Sequence, residues 1–178
     1  VNNGNIFSKL LKFQPGPPTN QILIINQTYM PKILDVIKYP DPALREKSID
    51  TPLTDIKKPE MKQFIEDMKH TMKELDGAGL AAPQVGMAIR LIVINDERTG
   101  KIFALINPKI TKKSWGQEVD EEGCLSVLDD KGKIIYGPVL RHKKVTCNYL
   151  DEDGNKKKIK DEKMLARIIQ HETDHLDG

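Results

Sequence analysis

Hydrophobic and polar positions alternate along this chain in two rhythms. From Glu60 to Leu75 the apolar residues Met61, Phe64, Ile65, Met68, Met72 and Leu75 recur at three and four, which aligns them on one side of a helix. Pro59 stands at its start, where a missing N–H costs little, and Asp76-Gly77 stop it. Shorter apolar runs follow at Ile89 to Ile94, Ile102 to Ile106, Ile134 to Tyr136 and Val145 to Leu150, and their length and β-branched content predict strands. The last runs into the turn sequence from Asp151 to Asn155, with a return strand near Lys156 to Lys160. Helical spacing resumes from about Asp161 to Leu176 through Met164, Leu165, Ile168 and Leu176, with Asp161 placed to cap the helix. Strands in succession followed by a helix predict an α+β fold, antiparallel sheets packed around a C-terminal helix in a single domain.

Residues 1–30 break both rhythms. Pro15, Gly16, Pro17, Pro18 and several asparagines surround one short apolar run, Ile22 to Ile25, so this stretch reads as an irregular N-terminal arm, with the catalytic domain over 31–178. A start at Val1 rather than Met leads us to expect that an initiator or targeting segment preceded it. With 28 basic against 26 acidic residues the net charge is +2, too balanced to predict direct nucleic-acid binding. The longest apolar runs, such as Leu91 to Ile94, fall far short of the roughly eighteen residues that span a bilayer. Cys124 and Cys147 are too few for a disulfide framework, although one bridge between them is compatible with the sequence; a reducing compartment is expected.

The final helix carries His171-Glu172-Thr173-Asp174-His175. A helix turns about 100° per residue, so residues four apart share a face and both imidazoles can reach one metal ion. Glu172, beside them, can take a proton from water at the metal without being a ligand. Two partly buried histidines with hydrogen-bonded rings are the alternative. A hydrolytic site needs a third protein ligand. His70 lies within the first helix and His142 between Arg141 and Lys143, so Cys124, in Glu122-Gly123-Cys124-Leu125-Ser126, is the better candidate, with Gly123 letting the backbone come close. Cys147 sits in a strand pattern and reads as core. The segment Gly77-Ala78-Gly79-Leu80-Ala81-Ala82-Pro83-Gln84 is compatible with a plain helix cap and loop. It can also expose backbone amides to an extended peptide and offer the Gln84 amide to a developing oxyanion.

In this order, Gly77 to Gln84, Glu122 to Ser126 and His171 to His175 resemble the three signature motifs of the peptide deformylase family. Tyr39 to Arg45 also resembles that family's N-terminal part, so the likeness runs over about residues 32–178. The resemblance implies a hydrolase of protein biosynthesis that removes the formyl group from N-terminal N-formylmethionine. It implies that Cys124, His171 and His175 bind one divalent metal, with Glu172 as general base and acid. Gln84 and the backbone N–H of Leu125 would hold the oxyanion, and Gly79 would contact the peptide backbone. Ile168, one turn before His171, is our candidate for the methionine pocket. The family's metal is generally ferrous iron, Fe(2+), with Zn(2+), Ni(2+) or Co(2+) able to replace it; mixed thiolate and imidazole donors suit zinc and iron alike, and iron beside a thiolate predicts activity lost in air. The implied partners are nascent formylated polypeptides, with association with the ribosome, and no membrane. The implied setting is the bacterial cytoplasm or an organelle of bacterial descent, and the start at Val1 with the extra arm favours the organelle, plastid-like or mitochondrial, as the expectation.

Three features depart from the family pattern. The chain stops at Gly178 where members usually continue into another strand. The stretch from Ser126 to Arg141 is longer than in compact members, which predicts a surface loop. Arg167 puts a charge beside Ile168 where some members have an apolar residue. Two rival readings remain at this point. A zinc peptidase would share His-Glu-x-x-His but leave Cys124 and Gln84 unexplained. A metal-stabilised binding module would need a fourth protein ligand that the sequence does not offer.

Overall fold

The computed structural model describes residues 29–178, so all but the last two residues of the expected arm lie outside the described residues. A four-residue helix α1, Leu53–Ile56, precedes the long helix α2, Pro59–Glu74. Met61, Phe64, Ile65, Met68 and Met72 form the buried face of α2, as their spacing predicts. The helix closes with Asp76 in the left-handed region (φ 56°), the Asp76 N–H donating to Lys73 O (3.1 Å) and the Gly77 N–H to Met72 O (2.8 Å). This paired capping satisfies two end carbonyls and turns the chain sharply into Gly77–Gly79.

Five antiparallel strands then build one sheet in the order β1-β2-β3-β6-β7: β1 Gly79–Ala81, β2 Leu91–Asp96, β3 Lys101–Lys113, β6 Lys144–Leu150 and β7 Lys156–Glu162. Strand β2 reads as an unbroken apolar run because both its faces are covered. Leu91 and Val93 join Ile65, Met68 and Met72 of α2 in one core cluster. Ile92 and Ile94 join Val145, Cys147 and the helix α3, Lys163–Asp177, in the other. Thus α3 crosses the sheet on the side away from α2 and holds its polar residues toward a second, separate sheet. That sheet is a ribbon of two strands, β4 Gln117–Leu128 and β5 Ile134–His142.

Several expectations need correction. Strand β4 has no apolar rhythm, since five of its twelve residues are Asp, Glu or Gly; it forms because β5 pairs with it from Gln117↔His142 to Leu128↔Ile134. The predicted surface loop from Ser126 to Arg141 is therefore largely strand, folded back at a turn where Asp129 Oδ1 accepts from the N–H groups of Lys131 and Lys133 (2.9 and 2.8 Å). Asp161 does not cap α3. It belongs to β7 and pairs with Arg98 (2.9 Å), while the N-cap position is Glu162. Both cysteines are free thiols, and burial pushes the Cys147 thiol up to about 11. No helix among the described residues is long and apolar enough to cross a membrane.

Candidate active site

The ribbon, the end of α2 and the outer side of α3 enclose a cleft of about 220 Å³. Three distant stretches of chain meet there. Strand β1 brings Gly79, the 3-10 helix Ala82–Val85 brings Gln84, β4 brings Cys124 and Leu125, and α3 brings Ile168, His171 and Glu172. His175 lies one helical turn beyond, with its Nε2 3.4 Å from Cys124 Sγ. An extended strap binds the parts: the Ile37 N–H donates to Gln84 O (2.7 Å), the Tyr39 N–H to Ser126 O (2.8 Å) and Lys38 Nζ to Leu125 O (2.7 Å).

Donor atoms of Cys124, His171 and His175 lie within 4.8 Å of one another. A tetrahedral ion with ordinary metal–sulfur and metal–nitrogen bonds holds sulfur and nitrogen about 3.5 Å apart, which the Cys124–His175 distance of 3.4 Å matches. The residues present therefore fit a divalent metal. Burial alone would raise the Cys124 thiol, but hydrogen bonds from His171 and His175 and the charge of His175 bring it down to about 5. Burial would lower His171, but Cys124, Glu172 and Glu122 hold it up to about 9. Both shifts favour the charged form of the group, so a metal cation binding here would displace protons.

Glu172 is 4% exposed and its Oε2 has no hydrogen-bond partner among the described residues. Burial raises its pKa against the pull of His171 and His175, the direction that strengthens it as a base. Gly79 makes room for it: a Cβ there would lie 2.7 Å from both Cγ and Cδ of Glu172. Gln84 is held from two sides. Its Oε1 accepts from the Ala81 N–H (2.9 Å), and its Nε2 donates to Ser126 Oγ (3.1 Å) and Cys124 Sγ (3.4 Å). Ile168 is buried at the cleft wall.

A second tier of residues escapes sequence reasoning. Glu122 Oε2 accepts from His171 Nδ1 (2.9 Å), which leaves Nε2 as the donor to a metal. Arg141 grips the same carboxylate with Nε and Nη2, both at 3.0 Å, and reaches Asp174 of the helix motif with Nη1. Arg167 adds a third cationic contact at 2.7 Å. Burial would raise Glu122, but the hydrogen bonds from Arg141, His171 and Arg167 outweigh it and hold the carboxyl down to about 2. The available signal was the presence of Glu122 and Asp174 inside short motifs, with basic residues placed far away in sequence. The other histidines stand apart: His70 Nδ1 is 3.9 Å from Glu74 on α2, and His142 Nδ1 is 2.7 Å from Ser114 O.

The sequence profile of the family described as polypeptide deformylase matches residues 33–178. The peptide deformylase of Dehalococcoides mccartyi (strain CBDB1) is 41% identical over 143 residues, which is 80% of each chain. That of Halothermothrix orenii is 42% identical over 146 residues, 82% of this chain and 89% of the relative. Among solved structures, a class I type b peptide deformylase from Acinetobacter baumannii superposes with a TM-score of 0.76 at 31% identity, covering 83% of this chain and 95% of the other. Peptide deformylase 1B of Arabidopsis thaliana, in complex with an inhibitor, gives 0.72 at 37% identity over 81% and 77%.

Proposed function

The chain belongs to the polypeptide deformylase family, and from that membership we propose which of its groups remove the N-terminal formyl group of newly made polypeptides. It is a metallohydrolase of protein biosynthesis. The observation that carries the residue assignment is the convergence of Cys124, His171 and His175 donors beside a buried Glu172 carboxyl, under the Gln84 amide.

Cys124, His171 and His175 would hold the divalent ion, proposed as Fe(2+) in the cell with Zn(2+), Ni(2+) or Co(2+) as substitutes. When bound, such an ion supplies Lewis acidity to water and to the formyl oxygen. The protein's own groups do the rest. Glu172 takes a proton from the attacking water as its oxygen bonds to the formyl carbon. The Gln84 Nε2 amide and the Leu125 N–H stabilise the oxygen of the tetrahedral intermediate. Glu172 then delivers its proton to the departing nitrogen, the carbon–nitrogen bond breaks, and formate and a free α-amine leave. The edge of β1 not paired with β2 and the edge of β4 not paired with β5 both border the cleft, which supports an extended peptide lying between them and hydrogen-bonded by backbone, Gly79 included. Its methionine side chain would lie against Ile168.

The substrates would be formylated chains at or soon after their exit from the ribosome. The compartment would be one whose translation starts on formylmethionine, the bacterial cytoplasm or an organelle of bacterial descent. The test is formate release from formyl-Met-Ala-Ser by protein loaded anaerobically with Fe(II) or Ni(II), beside Glu172→Ala. Release that vanishes in a variant still holding its metal supports the assignment. No release from the parent, or full release from the variant, overturns it.

A further inference from the structure

Arg167 is a charged residue of α3 that neither the core nor the proposed chemistry requires. It precedes Ile168 at the cleft wall, yet it is only 6% exposed. A buried guanidinium is costly unless it is paired and hydrogen-bonded, and here its three hydrogen bonds all fall on the β4–β5 ribbon. Nη1 donates to Glu122 Oε1 (2.7 Å) and Val139 O (3.0 Å), Nη2 donates to Glu118 O (3.1 Å), and Nε lies 3.9 Å from Asp120 Oδ2. Glu118, Asp120 and Glu122 alternate along β4 and Val139 stands opposite Asp120 on β5, so one planar fork spans both strands. The ribbon shares no ladder with the five-stranded sheet. Besides the strap's backbone bond from Tyr39 to Ser126, side chains hold it, and Gln170, one turn along α3, does so at the other end by exchanging hydrogen bonds with the His142 N–H (3.1 Å) and C=O (2.9 Å).

We infer that Arg167 is a positioning residue: by fastening β4 and β5 to α3 it fixes the spacing between the ribbon and the Ile168 wall, and so the fit of the substrate's methionine side chain. This rests on the deformylase reading above. Glu122 keeps its two bonds from Arg141 and its tie to His171 without Arg167, so losing Arg167 loosens the wall and leaves the ligand set in place.

The test compares the parent chain with Arg167→Gln and Arg167→Lys, all loaded anaerobically with Ni(II). In Arg167→Gln, ribbon amides over 118–122 and 139–142 exchange hydrogen at least about tenfold faster, while those of α2 are unchanged. KM for formyl-Met-Ala-Ser rises about tenfold, preference over formyl-Ala-Ala-Ser falls by a similar factor, and kcat stays within about threefold. Lysine keeps a charge for Glu122 but cannot reach both carbonyls, so Arg167→Lys falls between the two. A purely structural role would lower the thermal midpoint and leave KM and preference untouched; that result overturns the inference, as does unchanged exchange in the ribbon. A parent that releases no formate refutes the deformylase reading instead, and the exchange measurement, which needs no turnover, still judges the fastening.

Discussion

Gly79→Ala adds one methyl group to β1 and is expected to disable the site while sparing the fold. The new Cβ would lie 2.7 Å from Cγ and Cδ of Glu172, and nearer still to Oε1, where ordinary contact begins at 3.4 Å. The carboxyl must therefore retreat by about 1 Å, a displacement that costs roughly a hundredfold in rate when it falls on a catalytic group. No hydrogen bond at Oε2 opposes the retreat, since that atom has no partner among the described residues. Stability changes little: overpacking costs about 1–3 kcal/mol, replacing glycine in a strand returns about 0.5–1 kcal/mol, and Gly79 is not among the residues with positive φ. The assay is kcat from formate release, alongside metal content and thermal midpoint. In a Glu172→Ala background the same substitution should lower the thermal midpoint less than it does in the parent, because no carboxyl remains to be displaced. A Gly79→Ala enzyme within about threefold of the parent would refute the reasoning. So would an undiminished drop in midpoint in the Glu172→Ala background, which would mean that the new methyl group meets something other than the carboxyl.

Gln84→Ala removes the amide held between Ala81, Ser126 and Cys124 and should lower kcat about 10²–10³-fold with little change in KM; steady-state formate release checks this. For Glu122, a carboxyl held at about 2 against an ordinary value of 4.5 is depressed in the folded state, so its stabilisation is complete above 4.5 and is lost as pH falls toward 2. Urea unfolding of metal-free protein should show a gap between the parent and Glu122→Gln that shrinks across that window, by about 1–2 kcal/mol once solvent screening is allowed for. Met68→Ala opens the core between α2 and the sheet at a side chain with no exposure, and should cost about 2–5 kcal/mol of unfolding free energy while leaving kcat at moderate temperature near that of the parent.

How legible each element was depended on where its stabilising partners lie. Helix α2 carries its own signal in five apolar residues on one face, and α3 likewise, so both are visible in sequence. Strand β4 is not, because its acidic side chains are balanced by Arg141 on β5 and Arg167 on α3 rather than by any neighbour in the chain. The end of α3 was misjudged at Asp161 for a related reason: a good capping side chain was already committed to Arg98. In the site, the histidine spacing and the short motifs pointed to residues that the fold does gather in one place. The role of Glu122 stayed hidden, since a carboxylate shared by two arginines and a histidine is a property of three segments at once. Arg167 looked like a disturbance of an apolar wall, and burial with matched hydrogen bonds makes it part of that wall.

The strap through Ile37 and Tyr39 has a kinetic consequence. Its two backbone bonds reach Gln84 and Ser126, which belong to regions far apart in sequence and lie in different sheets or their approaches. Closing loops of that length is entropically uphill until both ends are in place, so neither half of the cleft gains much from forming before the other. A newly made copy of this chain should accordingly pass abruptly from having no cleft to having a complete one, with the strap closing last over the assembled halves.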